Sequence, residues 1–243
     1  MTVKLGVNID HIATLRQARG GNFPDPVEAA ENCLALGAEY IVLHIRRDRR
    51  HMQETDLERL TKKFRKHIHL EMANTREMVE LALRYKPASV CIVPEYPNEL
   101  TTSGGLKMDL KTISALKKTT ARLQKDGIDV SLFINPAPYD VRKAKSAGAK
   151  IVELCTKDYS EAKTEHIRKK FLEDISMSTI LAKELGLRVH SGHGLNFENV
   201  SDIAAQNGME CLNIGFSIIS RAVFVGLPQA LLEMRKAVSF YAR

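Results

Sequence analysis

Leu36-Gly37-Ala38-Glu39-Tyr40-Ile41-Val42-Leu43-His44-Ile45-Arg46 holds, in one short span, the unit from which the whole chain is built. A helical pattern stops at a glycine, a residue that takes the left-handed C-cap conformation at little cost. An apolar, β-branched run follows and reads as a strand over 40–45, with polar side chains at its far end. Working outward from it, similar runs occur at 3–9, 68–72, 89–93, 130–134, 151–155, 187–190 and 211–214, which makes eight strands. Helical patterns fill the intervals at 26–36, 56–66, 75–85, 107–125, 139–147, 160–185, 197–206 and from 217 onward, and Gly127, Gly148 and Gly186 repeat the glycine stop. Such strict alternation implies a parallel sheet covered by helices. The helical units differ too much in length for a solenoid. Eight βα units in 243 residues, near the ~250 typical of the architecture, favour a closed (β/α)8 TIM barrel over an open doubly wound sheet. Residues 1–243 read as a single domain, with 227–243 adding a terminal helix.

Composition narrows the function. At 44% hydrophobic and 27% charged the chain is ordinary for a globular protein, and no apolar run approaches the ~20 residues that span a bilayer. Met1 to Asp10 lacks the pattern of a secretory signal and reads directly as a strand, so a cytoplasmic address is expected. Cys33, Cys91, Cys155 and Cys211 are far apart, with no C-x-x-C pairing, and read as small core residues. The net charge of +7 fits either nucleic acid or anionic substrates drawn to a basic cleft. The lysine groups lie in helical patterns and read as solvated faces; the dense run is Arg46-Arg47-Asp48-Arg49-Arg50-His51.

In a barrel of this kind the active site forms at the C-terminal ends of the strands. Polar residues gather there: Asn8, Asp10 and His11 after strand 1, His44 and Arg46 after strand 2, Glu71 in strand 3, Glu153 in strand 6, and His193 and Asn213 near strands 7 and 8. A single histidine beside a strand is more often a hydrogen-bonded structural residue than a catalyst. Glu71 is harder to dismiss, since a carboxylate among apolar neighbours is costly unless paired or shifted in pKa. Gly192-His193-Gly194-Leu195-Asn196 at a strand-to-helix junction would present backbone N–H groups to an anion, and Gly215 would do so after strand 8. Arg19-Gly20-Gly21, Arg46 and His51 offer further cationic contacts, and Thr101-Thr102-Ser103-Gly104-Gly105 reads as a hydroxyl-rich lid or a plain surface loop.

Gly6-Val7-Asn8-Ile9-Asp10-His11-Ile12-Ala13-Thr14-Leu15-Arg16, the run 44–51, Leu70-Glu71-Met72-Ala73, Val93-Pro94-Glu95, the 101–105 loop, Gly192-His193-Gly194-Leu195 and Leu212-Asn213-Ile214-Gly215 together resemble the pyridoxine 5'-phosphate synthase family, in order and over essentially the whole chain. The resemblance implies a (β/α)8 barrel with extra helices, assembled as a homo-octamer. It implies condensation of two phosphorylated small molecules, 3-amino-2-oxopropyl phosphate and 1-deoxy-D-xylulose 5-phosphate, with no cofactor and no metal. By motif, His44 and Glu71 match the family's proton acceptors, His193 its proton donor and Glu153 a carboxylate that stabilises the transition state. Asn8, Arg19, Gly194 and Gly215 match positions holding the amino-ketone phosphate; Asp10, His11, Arg46, His51 and Thr101 match those holding the sugar phosphate. One position departs: Phe216 stands where the family pattern often has histidine after N-I-G. The change is tolerable if that position binds phosphate through its backbone N–H, the reading favoured here.

Three rivals are weighed against this. A Schiff-base aldolase, or an isomerase acting on phosphorylated sugars, is the nearest, but the aldolase needs a lysine at a strand end, which the eight strand ends do not offer beside the acidic and histidine cluster. A metal hydrolase built on His44, His193, Glu71 and Asp10 has no compact zinc spacing. A nucleic-acid-binding module would rest on the Arg46 to Arg50 run, yet aromatics are 6% and tryptophan is absent, so no stacking ladder accompanies it. Neither a nucleic-acid nor a membrane partner is expected.

Overall fold

A computed structural model of the protein describes residues 3–96 and 104–239. Its eight strands are β1 (Lys4–Asn8), β2 (Tyr40–His44), β3 (Ile68–Met72), β4 (Ser89–Ile92), β5 (Asp129–Ile134), β6 (Ile151–Cys155), β7 (Arg188–Gly192) and β8 (Met209–Ile214). All are parallel and each pairs with its sequence neighbours. The ring closes where β1 lies against β8, Leu5 opposite Leu212 and Gly6 opposite Asn213. Closure leaves no sheet edge exposed. The expected TIM barrel is therefore present.

Outside it run α1 (Asp10–Arg19), α2 (Pro26–Ala35), α3 (Glu54–Phe64), α4 (Arg76–Tyr85), α5 (Leu110–Lys125), α6 (Pro138–Ser146), α7 (Lys157–Ser160), α8 (Glu165–Glu184), α9 (Val200–Ala204), α10 (Phe216–Val225) and α11 (Leu227–Ser239). The glycine stops at Gly37, Gly127, Gly148 and Gly186 all have positive φ, as the sequence pattern requires. Two differences from the sequence reading affect the site. Asp10 and His11 do not sit in a loop; they form the first turn of α1, which starts directly after the strand. Its N-cap is Ile9, which makes no side-chain capping bond, so the usual start signal is missing. The helix expected at 160–185 is present as α8 but starts later, at Glu165, where Thr164 caps it by accepting a hydrogen bond from the Ile167 N–H; the short α7 precedes it.

Because strand side chains alternate, each strand serves two environments. One set, including Leu5, Val7, Ile41, Leu43, Leu70, Val90, Leu132, Val152 and Leu212, joins Leu57, Leu60, Met78, Leu116, Ile203, Ile218 and Leu231 of the helices in one apolar layer. The other set faces the barrel axis and is largely polar: His69, Ser89, Ser131, Glu153, His190 and Asn213 are all buried there. Cys91, Val93, Phe133 and Cys155 form a small separate apolar cluster among them. Barrels of this kind usually fill their axis with bulky aliphatic residues. Here stability comes from the outer layer, and the interior keeps polar groups, which is costly unless they have work to do.

Candidate active site

The C-terminal ends of the strands surround a cavity of about 760 Å³. Asn8, Asp10, His11, His44, Arg46, His51, Glu71, Glu153, His193, Gly194, Gly215 and Phe216 all line it. That volume lies within the ~300–1,000 Å³ usual for ligand pockets. Arg19 is not brought to it; it ends α1 with its side chain in solvent. Thr101 lies outside the described residues.

The wall made by β1 to β4 is a connected set of side chains. Asn8 accepts the Asp10 N–H at 2.9 Å and donates to the Asp10 carboxylate at 3.0 Å. That carboxylate accepts the backbone N–H of His44 at 2.8 Å, which joins the end of β1 to the end of β2. The His44 ring is held by Glu95: Nε2 and Oε1 are 2.7 Å apart, and both side chains are nearly buried. With Nε2–H donating to Glu95, the neutral ring presents Nδ1, 3.8 Å from the Glu71 carboxylate. Burial, then the nearby carboxylates of Glu153 and Asp10, push Glu71 well above the usual carboxylate range. Burial works against ionisation of Glu95 too, but the hydrogen bond and charge of His44, the Arg47 N–H and Arg46 outweigh it and hold Glu95 low. Two carboxyls flanking one imidazole are thus biased in opposite directions, a pattern that separates a fixed anion from a group able to exchange protons.

The loop after β2 is braced from below. Arg16 makes a buried bidentate pair with Asp56, at 2.6 and 2.7 Å, and also donates to the His51 carbonyl. Asp56 belongs to the Gln53 capping box of α3, so helix start and loop are fixed together. His51 Nδ1 accepts the Met52 N–H, which puts the proton of the neutral ring on Nε2. Burial lowers the His51 pKa, and His44 and Arg46 add to that against the pull of Asp10. Among the described residues Arg46 is buried with no hydrogen-bond partner for its Nε and only a 3.7 Å approach to Asp48. A buried guanidinium N–H without an acceptor suits an anionic ligand.

The wall made by β6 to β8 works through backbone. His193 has a φ of 88°, a left-handed conformation that is strained for a side chain, and Gly194 follows at 76°. A Cβ on Gly194 would meet Ser160, and one on Gly215 would lie 2.8 Å from Asn8 Cβ. Asn199 holds this loop by donating to the Gly194 carbonyl at 3.2 Å while accepting the Asn196 N–H at 2.8 Å. Gly215 is the N-cap of α10 and offers no side-chain cap, and the first turn carries no acidic residue. Orphan N–H groups and the helix dipole there favour an anion. Burial, then Lys157, lower the pKa of His193. Glu153 accepts a 2.7 Å hydrogen bond from Asn213.

Sequence reasoning missed Glu95 as a site residue, although Val93-Pro94-Glu95 had been noticed as a motif; only the fold brings it to His44. Thr14, Arg50, Asn196, Asn213 and Ser217 also line the cavity. No lysine is among the described residues that do so, which removes the Schiff-base nucleophile. Among the described residues, no three of His44, Glu71, Asp10 and His193 bring their ligand atoms within 4.8 Å of one another, as a hydrolytic metal site would.

Residues 5–240 match the family described as pyridoxal phosphate biosynthesis protein PdxJ. The chain is 60% identical to a pyridoxine 5'-phosphate synthase of Elusimicrobium minutum over 98% of each chain. It is 48% identical to one of Coxiella burnetii, again over 98% of each. Among solved structures it resembles a native KDPGal structure (TM-score 0.65, 10% identity, 100% of this chain and 97% of the other). It also resembles phosphoribosyl anthranilate isomerase from Thermus thermophilus (TM-score 0.60, 12% identity, 98% and 99%). At such identities these two likenesses concern the fold alone.

Proposed function

The chain belongs to the PdxJ family of pyridoxal phosphate biosynthesis proteins, and from that premise we propose how its residues divide the work of the family's reaction. The enzyme condenses 3-amino-2-oxopropyl phosphate with 1-deoxy-D-xylulose 5-phosphate to pyridoxine 5'-phosphate, phosphate and water. Joining an amine to a ketone and closing a carbon ring demands repeated removal and delivery of protons at neighbouring atoms.

In this reading Glu71 and His44 remove protons in the condensation and ring-closing steps. The observation that carries it is Glu71 itself: a carboxyl in the chamber, raised in pKa, within 3.8 Å of an imidazole fixed by a second carboxylate. A carboxyl raised in this way and facing an imidazole is suited to exchange a proton with substrate. His193, on the opposite wall, protonates departing water. Glu153, oriented by Asn213, stabilises positive charge developing on the nitrogen-bearing intermediate. Arg46 and the turn of α1 hold one phosphate, with Asp10, His11 and His51 around the sugar; Asn8, Gly194 and the start of α10 hold the other. Arg19, exposed at the end of α1, would have to swing inward to reach a bound phosphate, and Thr101, proposed as a contact of the sugar phosphate, lies outside the described residues.

Supplied with both phosphorylated substrates, the purified protein should release inorganic phosphate and form pyridoxine 5'-phosphate in the presence of a chelator. A folded protein that forms none would overturn the assignment. We further propose that residues 1–243 fold as one unit, since β1 and β8 complete the same ring, and that the chain assembles as a homo-octamer. Phe224 and Val223 on α10 and Leu232 on α11 support assembly, being exposed apolar residues on adjoining helices. Analytical ultracentrifugation giving a single-chain mass would refute it. A cytoplasmic address fits four unpaired buried thiols and the absence, among described residues, of a helix long and apolar enough to cross a membrane.

A further inference from the structure

Below the chamber, three side chains of different chemistry converge on the barrel axis. The ring of His69 (β3), the thiol of Cys91 (β4) and the carboxylate of Glu153 (β6) bring one ligand atom each within 4.8 Å of one another. All three are almost completely buried. His69 Nδ1 is satisfied by the Ser89 hydroxyl at 2.6 Å. Its Nε2 is buried with no hydrogen-bond partner among the described residues and stands 3.7 Å from Glu153 Oε2. A buried ring nitrogen left without a partner costs about 1–3 kcal/mol and calls for a reason.

We infer that His69, Cys91 and Glu153 form a binding site for a thiophilic divalent cation of the zinc type, and that its occupation switches the synthase off. One nitrogen, one sulfur and one carboxylate oxygen are a ligand set that Zn²⁺ accepts and that Mg²⁺ and Ca²⁺ do not favour. The outer Ser89 contact is the kind of second partner that orients a metal-binding imidazole. In tetrahedral coordination such nitrogen and sulfur atoms lie ~3.6 Å apart, so side-chain rotations of under ~1 Å close the set. Binding forms the Sγ–metal bond and releases the thiol proton to solvent. The thiolate and the Glu153 carboxylate then neutralise the two charges of the ion, which makes it tolerable in a buried interior. Glu153 also lines the chamber, so the site adjoins it. A cation here engages Glu153 and competes with the stabilising role proposed above; the binding half of the inference does not depend on that role.

Cobalt(II) reports the site directly, because a thiolate ligand gives it a near-ultraviolet charge-transfer band. Metal-stripped protein should take up one Co²⁺ per chain with that band, Zn²⁺ should displace it, and turnover measured in the same samples should fall as either ion binds. Cys91→Ser and His69→Asn should keep basal turnover, lose the band, and need at least about tenfold more Zn²⁺ for inhibition, a change of ~1.4 kcal/mol in binding. Cys155→Ser and Cys211→Ser should keep the band. Absence of the band in the parent protein would overturn the site whether or not the variants fold. Zinc inhibition undiminished in Cys91→Ser would do the same. A full band with turnover unchanged would overturn the switch and, with it, the catalytic place given to Glu153.

Discussion

The two walls of the chamber are built on different principles. From β1 to the end of β4, side chains touch side chains: Asn8 to Asp10, Asp10 to the His44 backbone, His44 to Glu95 and Glu71. From β6 to β8 Glu153 and His193 stand beside two positions with no side chain, Gly194 and Gly215, placed where a Cβ would collide with Ser160 or Asn8. Proton handling needs coupled ionisable groups, and binding of a phosphate needs close backbone approach. On the proposed reading, catalysis falls chiefly to the first wall and anion binding chiefly to the second.

The sharpest attempt to break this division is Glu71→Gln. If the first wall runs the chemistry, kcat should fall by about 10³-fold or more with KM little changed, since general acid–base groups contribute ~10²–10⁴. Near-normal turnover would end the assignment. The same variant tests the cost of holding this carboxyl. A group whose folded pKa is raised binds its proton more tightly in the folded state, so stability falls as pH climbs from the ordinary carboxylate value through the raised one. Gln has no such term, and its Tm advantage over the parent should widen with pH across that window. A parent and variant that melt in parallel at every pH would deny the shift.

Glu95 comes next, as a positioning residue acting through His44. Glu95→Ala should lower kcat by ~10²-fold by freeing the ring, whereas Glu95→Gln, which still accepts from Nε2–H, should recover about tenfold of it, with KM within about twofold in both. A loss confined to KM, or no recovery by Gln, would make Glu95 merely structural.

On the second wall the expected signature reverses. Gly194→Ala puts a Cβ at positive φ and against Ser160, which displaces the loop. The KM for the amino-ketone phosphate should rise by about tenfold and exceed any change in kcat, with strain of ~1–3 kcal/mol appearing as a lower Tm. A collapse of kcat at unchanged KM would mean that this wall, too, does chemistry beyond His193.

Much of this arrangement was legible in the sequence, for reasons particular residues make plain. The strands were readable because their outward faces, such as Ile41, Leu43 and Ile45, bury against helices and must be apolar. Most candidate site residues were readable because polar groups at strand ends have no place in a core. What escaped was contact across sequence distance. Glu95 meets His44 over fifty-one positions, and nothing local to either residue announces it. The buried axis escaped for a different reason: His69 stands between Ile68 and Leu70 and reads as an ordinary strand position. Helix α1 was missed because Ile9 supplies no cap.

A smaller effect distinguishes which wall sets the alkaline side of the pH profile. In the proposed roles Glu71 must be ionised to act as a base, so kcat/KM should fall as pH drops through its raised pKa. His193 must be protonated to donate, so kcat/KM should fall again as pH rises through its lowered one. The two limbs approach each other and the bell should be narrow. Lys157→Gln removes the charge that, after burial, depresses His193, and should move the alkaline limb upward while leaving the acidic limb in place. Movement of both limbs would show that the walls are electrostatically coupled rather than independent.

The smallest effect is expected at Phe216, and its smallness is informative. The side chain is 70% exposed and meets His11 edge-on, with ring centroids 5.3 Å apart. Its backbone belongs to the first turn of α10, where N–H groups have no capping side chain. If the second wall holds phosphate through backbone, Phe216→His should change the KM for the amino-ketone phosphate by less than about threefold, under ~0.7 kcal/mol. An imidazole that improved affinity by tenfold or more would show that side chains matter on this wall as they do on the other. The contrast between the walls would then reflect this chain's phenylalanine rather than the architecture of the site.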